Sequence, residues 1–269
     1  VKSFREVREE RLGDEQGTLY KQGEFQVALV YPSPYHVGMS SLGFQTIYRE
    51  LHALPGVTAE RAFLPDDALA ARRENEPLYT YESQRQVGNF SIVAFSLAYE
   101  MEIAGLVTCL DLAGIPAFAD ERRGQGRAYP LVVVGGPLTF SNPVPAGPFA
   151  DVIVMGEAEE TIAYLVRTFR DSKDKESLLS DLATRPGFYI PTIHGERPVP
   201  VVAADNARLP AHSQIITPHT ELANMFLVEA ERGCSRRCTY CVMRRSTNGG
   251  MRKFEPERIL ATIPDHARR

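Results

Sequence analysis

No stretch of this sequence approaches the ~18 uninterrupted apolar residues that a membrane-spanning helix requires. The N-terminus, Val1-Lys2-Ser3-Phe4-Arg5, runs directly into charged residues. It lacks the apolar core and small-residue cleavage site of a secretory leader, so the expected compartment is the cytoplasm and no membrane partner is expected. A first residue of Val1 instead of Met points to a non-standard start codon or to a piece of a longer protein. A large excess of charge of one sign is missing as well: a net charge of −4 argues against a general nucleic-acid coat. Four cysteines in 269 residues are too few for a disulfide scaffold. The sequence contains no internal repeat. Hydrophobic residues at 43% and charged residues at 24% are ordinary for a globular chain, which excludes disordered and collagen-like classes. At about 150 residues per domain, the length corresponds to one large domain or two modest ones.

What is present is an alternation of strands and helices. Residues 1–24 are polar and predict a lead-in with one short helix. Phe25–Tyr31 reads as a buried strand stopped by Pro32-Ser33-Pro34, and Leu42, Phe44, Ile47, Tyr48 and Leu51 fall at helical spacing. Strands are predicted at 57–63, 91–96, 131–134 and 151–155, with helices over 99–113 and 157–170. This pattern gives an α/β fold class: a Rossmann-like open parallel sheet over 25–170, covered on both faces. By the topological-switch rule its ligand belongs at the carboxyl ends of the strands. Residues 171–223 read as a linker with a solvated first part and an extended hairpin at 186–202, turning at Gly195. Met225–Ala230 predicts a further strand, and Phe254-Glu255-Pro256 predicts a helix start with proline in its first turn.

Three of the four cysteines fall within residues 234–241, as Cys234-x3-Cys238-x2-Cys241. Three thiolates on one tight loop can ligate three irons of a cubane cluster and leave the fourth iron open, as a catalytic cluster requires. A structural zinc site is the alternative, and it needs a fourth ligand at a matching spacing. His219 and His266 do not provide one. Chance clustering of thiols is the other alternative. Cys109, alone on an apolar helix, reads as a core residue. Around the cysteines runs a basic stretch, Arg232, Arg236, Arg237, Arg244, Arg245, Arg252 and Lys253, without an acidic residue among residues 232–253. It is compatible with an anionic ligand and equally with a solvated face. Little aromatic interleaving accompanies it, so nucleic acid is the weaker reading.

The Cys234-x3-Cys238-x2-Cys241 motif, with Tyr240 just before its last cysteine, resembles that of the radical S-adenosylmethionine (SAM) superfamily. The resemblance implies a [4Fe-4S] cluster held by Cys234, Cys238 and Cys241 on the loop after the first strand of a partial (β/α)6 barrel. It implies that S-adenosylmethionine binds the open iron, with Tyr240 bordering it, and that an electron from the reduced cluster cleaves SAM to methionine and a 5'-deoxyadenosyl radical. An electron donor such as flavodoxin or ferredoxin is then an expected partner.

A second set of motifs covers the first domain: Tyr31-Pro32-x-Pro34-Tyr35-x-Val37-Gly38-Met39-Ser40-x-Leu42-Gly43, then Val134-Gly135-Gly136-Pro137, then Gly156-Glu157-Ala158-Glu159-Glu160-Thr161. These resemble an uncharacterised branch of the radical SAM proteins that carry a cobalamin-binding domain. The candidate cofactor-binding residues at the strand ends are Gly38, Ser96, Gly135, Gly136, Gly156 and Glu157. Gly135 and Gly136 would let a corrin or its nucleotide tail lie against the main chain. Gly-Gly-Pro is also an ordinary tight turn, and Glu157 and Glu159 also suit the positive end of a helix without any ligand. Cobalamin proteins that replace the lower base of cobalt use Asp-x-His-x-x-Gly. Here the corresponding loop reads Pro34-Tyr35-His36-Val37-Gly38-Met39, without the Asp and with Met39 in place of the glycine. Cobalamin is therefore expected without a histidine lower ligand, or the domain has lost it, and His36 reads as a polar loop residue.

After Cys241 the chain runs only to Arg269, whereas six βα units of such a barrel take about 190 residues. Residues 224–269 are expected to be the start of an incomplete radical SAM domain, completed by a C-terminal barrel portion in cis or as a separate chain. The expected function is radical SAM chemistry, as cobalamin-linked methyl transfer or rearrangement on a substrate the sequence does not identify. The alternatives are a methylthiotransferase-like enzyme acting on RNA or protein, against which the lone Cys109 of the first domain counts, and a non-catalytic cobalamin or iron-sulfur sensor.

Overall fold

The computed structural model describes residues 2–126, 128–236, 238–241 and 250–267. Arg237, Arg244 and Arg245 of the basic run lie outside them. The chain opens with α1 (Phe4–Gly13), started by a capping box in which Ser3 and Glu6 satisfy each other's backbone N–H. Then follow β1 (Phe25–Tyr31), α2 (Tyr35–Gly38), α3 (Leu42–Ala53), β2 (Val57–Phe63), α4 (Ala68–Arg73), β3 (Ile92–Ser96), α5 (Glu102–Leu112), β4 (Leu131–Gly135), α6 (Leu138–Ser141), β5 (Val152–Val154), α7 (Thr161–Asp171), α8 (Lys175–Ala183), β6 (Phe188–Tyr189) and α9 (Pro191–His194). A small hairpin, β7 (Glu231–Gly233) with β8 (Met251–Lys253), precedes α10 (Pro256–Ala261). Among the described residues no helix is long and apolar enough to cross a membrane.

The main sheet has the order β2-β1-β3-β4-β5-β6. Its first five strands are parallel and β6 is antiparallel to β5. The α/β fold class expected from the alternating pattern is thus what the chain adopts. Side chains alternate across the sheet. Val27 and Leu29 face a core completed by Phe44, Tyr48 and Leu51 of α3, Leu165 of α7 and Leu182 of α8. Ala28 and Val30 face the opposite core, with Leu106 and Leu110 of α5. Burial on both faces explains why the strands read as continuous apolar runs. The reversal of strand order lies between β1 and β3, so the carboxyl ends of these two strands flank the switch point.

Three segments differ from the sequence expectation. The stretch at 171–180, read as a solvated helix or linker, leads into α8, which is solvated on one side only: Asp174 caps it at Ser177, Glu176, Ser177 and Ser180 are exposed, and Leu178 and Leu182, one helical turn apart, are buried. The segment read as a hairpin places Phe188 and Tyr189 in the main sheet, because these residues and Ile190 are apolar enough to bury at its edge. Pro191 then opens a helical turn that Gly195 ends, and Val202 runs parallel to Gly156, with Glu157 N–H donating to Val202 O at 3.0 Å. Because Glu157 is committed to that contact, α7 starts at Thr161 instead of at residue 157. Residues 225–230 are not a strand. Among them only Val228 forms a bridge, to His212, and the strand that precedes the cysteines is β7.

Residues 211–219 form a strap that lashes the N-terminal layer to the sheet. Gln16 and Ile216 pair through their backbones, and Ile215 N–H donates to Gln45 Oε1 at 2.8 Å. Tyr35 Oη lies 3.1 Å from Thr217 Oγ1, and His219 Nε2 lies 2.7 Å from Asp14 Oδ2. Beneath the strap, Arg61 in the middle of β2 is fully buried. It donates to Glu15 at 2.7 and 2.8 Å and to Glu82 at 2.6 Å. Burial works against its charge, but the two carboxylates outweigh it and hold the guanidinium above its ordinary pKa.

Candidate cofactor cleft and cysteine loop

At the carboxyl ends of β1, β3, β4 and β5 lies an open, mostly apolar cleft of about 270 Å³. Leu29, Ala94, Val133 and Val154, one from each strand, form its floor, and Phe44 and Ile47 of α3 form a wall. Ser96, Gly135, Gly136, Gly156 and Glu157, five of the sequence-derived candidates, line it together. No histidine is among its lining residues. His36 is exposed on α2. Gly38 is not a lining residue either. A Cβ there would come within 2.6 Å of the Phe63 ring and 2.9 Å of Tyr31 Cβ, so its role is the close packing of α2 on β1 and β2.

The two adjacent glycines do different things. A Cβ on Gly135 would meet only Val154 Cβ, at 3.8 Å, so this residue keeps the cleft open above β4. Gly136 has φ +101, and a Cβ there would lie 2.5 Å from Leu97 O. It shapes the crossing of two loops, where Leu97 N–H donates to Gly135 O and Leu138 N–H to Leu97 O. At the start of α5, Glu102 accepts from Ala98 N–H at 2.5 Å and from Ser33 Oγ at 3.1 Å. Its burial raises its pKa against these bonds.

The rim beside α7 is charged. Arg232 of β7 lies between three carboxylates: its Nη1 is 2.8 Å from Glu159 and 3.4 Å from Glu157, and its Nε is 2.7 Å from Glu229. Arg252 of β8 also pairs with Glu157 and donates to Ala204 O at 2.9 Å. Glu157 Oε2 accepts from Ala204 N–H at 2.6 Å. Glu157 and Glu159 are buried, and Arg232 nearly so. Burial opposes the charge on Arg232, yet the bonds to Glu229 and Glu159 prevail and hold its pKa above the ordinary guanidinium value. Two members of the basic run are thus neutralised by the chain's own carboxylates. Glu229, Arg232 and Arg252 were not among the sequence-derived candidates. Their signal was the placement of Arg232 two residues before Cys234, opposite an acid-rich loop.

The three clustered cysteines follow β7, and Cys238 and Cys241 bound a turn closed by Cys241 N–H donating to Cys238 O at 3.3 Å. All are free and half-buried, and Arg236 N–H donates to Cys234 Sγ at 3.4 Å. Among the described residues no group of three or more His, Cys, Asp or Glu side chains is drawn together tightly enough to hold an ion. The donor chemistry nevertheless suits an iron-sulfur cluster: three accessible thiols on one loop, without a carboxylate or imidazole among them. Site formation in such loops is coupled to binding. Cys109 is the opposite case, fully buried in α5, with its thiol pushed far up by burial. Tyr240 is 88% exposed.

A family model described as "Radical SAM proteins, N-terminal" matches residues 43–191, rather more than half of the chain. An uncharacterized protein of Methanocaldococcus jannaschii is 24% identical over 218 residues, which cover 81% of this chain and 41% of that protein. Among solved structures, the radical S-adenosylmethionine methyltransferase TsrM from Kitasatospora setae, with its tryptophan substrate and a SAM analog bound, superposes with a TM-score of 0.53 at 14% identity, over 88% of this chain and 44% of that one. The same enzyme with cobalamin and a [4Fe-4S] cluster bound gives 0.47. The chain therefore spans well under half the length of these two proteins.

Proposed function

The chain belongs to the radical SAM proteins, N-terminal family, and on that premise we propose that it is the front part of a radical SAM enzyme of the cobalamin-linked methyltransferase type. The observation that carries this reading is Arg232, which lines the apolar cleft and stands two residues before Cys234 in the chain; on that adjacency the cleft and the cysteine loop are read as parts of one site. Cys234, Cys238 and Cys241 would hold the [4Fe-4S] cluster. The chemistry such a cluster supplies is one-electron reduction of S-adenosylmethionine. Tyr240, exposed on the same turn, is available to border that ligand. The cleft is read as the seat of cobalamin. Its apolar floor, the open space over Gly135 and the lack of a lining histidine favour a corrin bound without a histidine lower ligand. TsrM is described with cobalamin, a cluster and a SAM analog, and its likeness supports the reading at the level of fold. An electron donor and a C-terminal barrel portion, in cis or as a separate chain, complete the proposal.

The test is anaerobic reconstitution with iron and sulfide. About four irons per chain are expected. Cys234→Ala, Cys238→Ala and Cys241→Ala each lose the cluster, and Cys109→Ala keeps it. A stoichiometry of one zinc and no iron after anaerobic purification would overturn the reading. The chain alone is expected to give no 5'-deoxyadenosine on reduction with dithionite, because SAM must be fixed in one pose by a closed supporting shell. Turnover at about 1 per second or faster by the isolated chain would refute that part.

A further inference from the structure

Among the described residues, the β7–β8 hairpin that flanks the cysteines has few attachments to the main sheet. Its own pairing is short, Glu231 to Gly233 against Met251 to Lys253. What fixes it to the sheet is charge. Arg232 reaches Glu157 and Glu159 on the loop after β5, and Arg252 reaches Glu157 from the neighbouring strand. The carboxylates are themselves held. Glu157 is pinned by Ala204 N–H, and Glu229 by Ala211 N–H at 3.1 Å. A nearly buried guanidinium with three carboxylates in reach, at 2.7–3.4 Å, is held tightly in orientation. Only Gly233 stands between that fixed residue and Cys234.

We propose that Arg232 is the positioning residue of the cysteine loop. Clamped by Glu157, Glu159 and Glu229, it sets where the thiol-bearing turn begins relative to the rim of the cleft. Without it the three thiols remain chemically intact, but the turn loses its anchor on the sheet. This inference rests on the cluster assignment above for one of its readouts and is independent of it for the other.

The test uses the full chain and the variants Arg232→Gln, Arg232→Lys and Glu159→Gln. In the first arm, reconstituted protein is challenged anaerobically with a ferrous chelator. Arg232→Gln is expected to release iron at least tenfold faster than the parent, and Arg232→Lys, which keeps the charge but not the forked contact, at an intermediate rate. In the second arm, iron-free protein is alkylated with iodoacetamide and each cysteine is followed by mass spectrometry. Cys234 in Arg232→Gln is expected to react at least threefold faster than in the parent, with Cys109 still protected in both. Protection of Cys109 reports that the main sheet remains folded. Should Arg232→Gln fail to fold, Glu159→Gln, which leaves Glu157 and Glu229 in place, carries the same test with a smaller expected change of about twofold or more. Equal chelator release and equal alkylation in parent and variants would overturn the proposal while leaving the cluster assignment intact. A parent that takes up no iron would overturn the cluster assignment, and the alkylation arm would then decide the positioning role alone.

Discussion

Gly135 and Gly136 are neighbours with the same side chain, yet alanine should act on them in opposite ways. At Gly136 two penalties combine. A positive φ of +101 is unfavourable for an L-residue by about 1–2 kcal/mol. The added Cβ would lie 2.5 Å from Leu97 O and 2.8 Å from Leu97 N, both backbone atoms tied into the loop crossing, so relief requires a main-chain shift costing about 1–3 kcal/mol. Gly136→Ala is therefore expected to destabilise the chain by about 2–5 kcal/mol, a fall in melting temperature of roughly 5–15 °C for a protein of this size. At Gly135 no comparable contact exists, since the nearest atom is Val154 Cβ at 3.8 Å. Gly135→Ala is expected to stay within about 1 kcal/mol of the parent, yet to project a methyl group into the cleft. The assay is urea denaturation followed by circular dichroism, paired with titration of hydroxocobalamin by absorbance. The expected pattern is loss of stability at Gly136, and loss of cobalamin affinity with preserved stability at Gly135. A Gly136→Ala variant within about 1 kcal/mol of the parent would refute the steric reasoning.

Other outcomes follow from the buried charges and the histidines. Arg61→Ala leaves Glu15 and Glu82 buried without their cation and is expected to cost about 3–5 kcal/mol by the same urea assay; Arg61→Met with both glutamates changed to Gln is expected to recover much of it. His52 is buried, with Nε2 bonded to Ala59 O and Nδ1 without a partner among the described residues, and burial lowers its pKa; burial lowers that of His212 too. The unfolded chain therefore takes up these protons first, so stability is full above about pH 6.5 and falls as the pH drops below it. Comparing urea midpoints at pH 7.5 and 5.5 tests this, and His52→Asn with His212→Asn should flatten the slope. His36→Ala is expected to leave the absorption spectrum of bound cobalamin unchanged, since His36 is exposed on α2 and does not line the cleft; a spectral change typical of a lost nitrogen ligand would show otherwise.

The sheet was legible because its strands are buried on both faces. Phe25–Tyr31 occupies the boundaries that its apolar run predicted, and Val57–Phe63 matches its predicted strand although Thr58, Glu60 and Arg61 interrupt its apolar residues. The carboxyl-end cleft followed from strand order alone, and Ser96, Gly135, Gly136, Gly156 and Glu157 meet there. What local pattern did not reveal depends on partners far away in the chain. Phe188 and Tyr189 are a strand only because β5 offers an edge. Glu157 looked like the first turn of a helix, but Val202, Ala204, Arg232 and Arg252 claim it. Gly38 carried the motif's signature of a ligand loop, but the Phe63 ring explains its lack of a side chain.

The strap at 211–219 also has a bearing on how the protein is made. It supplies bonding partners to Gln16, Gly17, Tyr35 and Gln45, residues synthesised nearly two hundred positions earlier. A chain emerging from the ribosome at about 5–20 residues per second thus carries an incomplete N-terminal layer for roughly ten seconds or more before its fastener arrives. During that interval α1 and the loop before β1 are held only by earlier partners, among them Glu76 and Asp66 for α1 and Tyr48 of α3 for Leu19. Closure of so large a loop is the slowest kind of contact for a polypeptide to make. The segment that ties down the beginning of the chain immediately precedes the one that bears the cysteines, so translation finishes the scaffold just before the thiols appear.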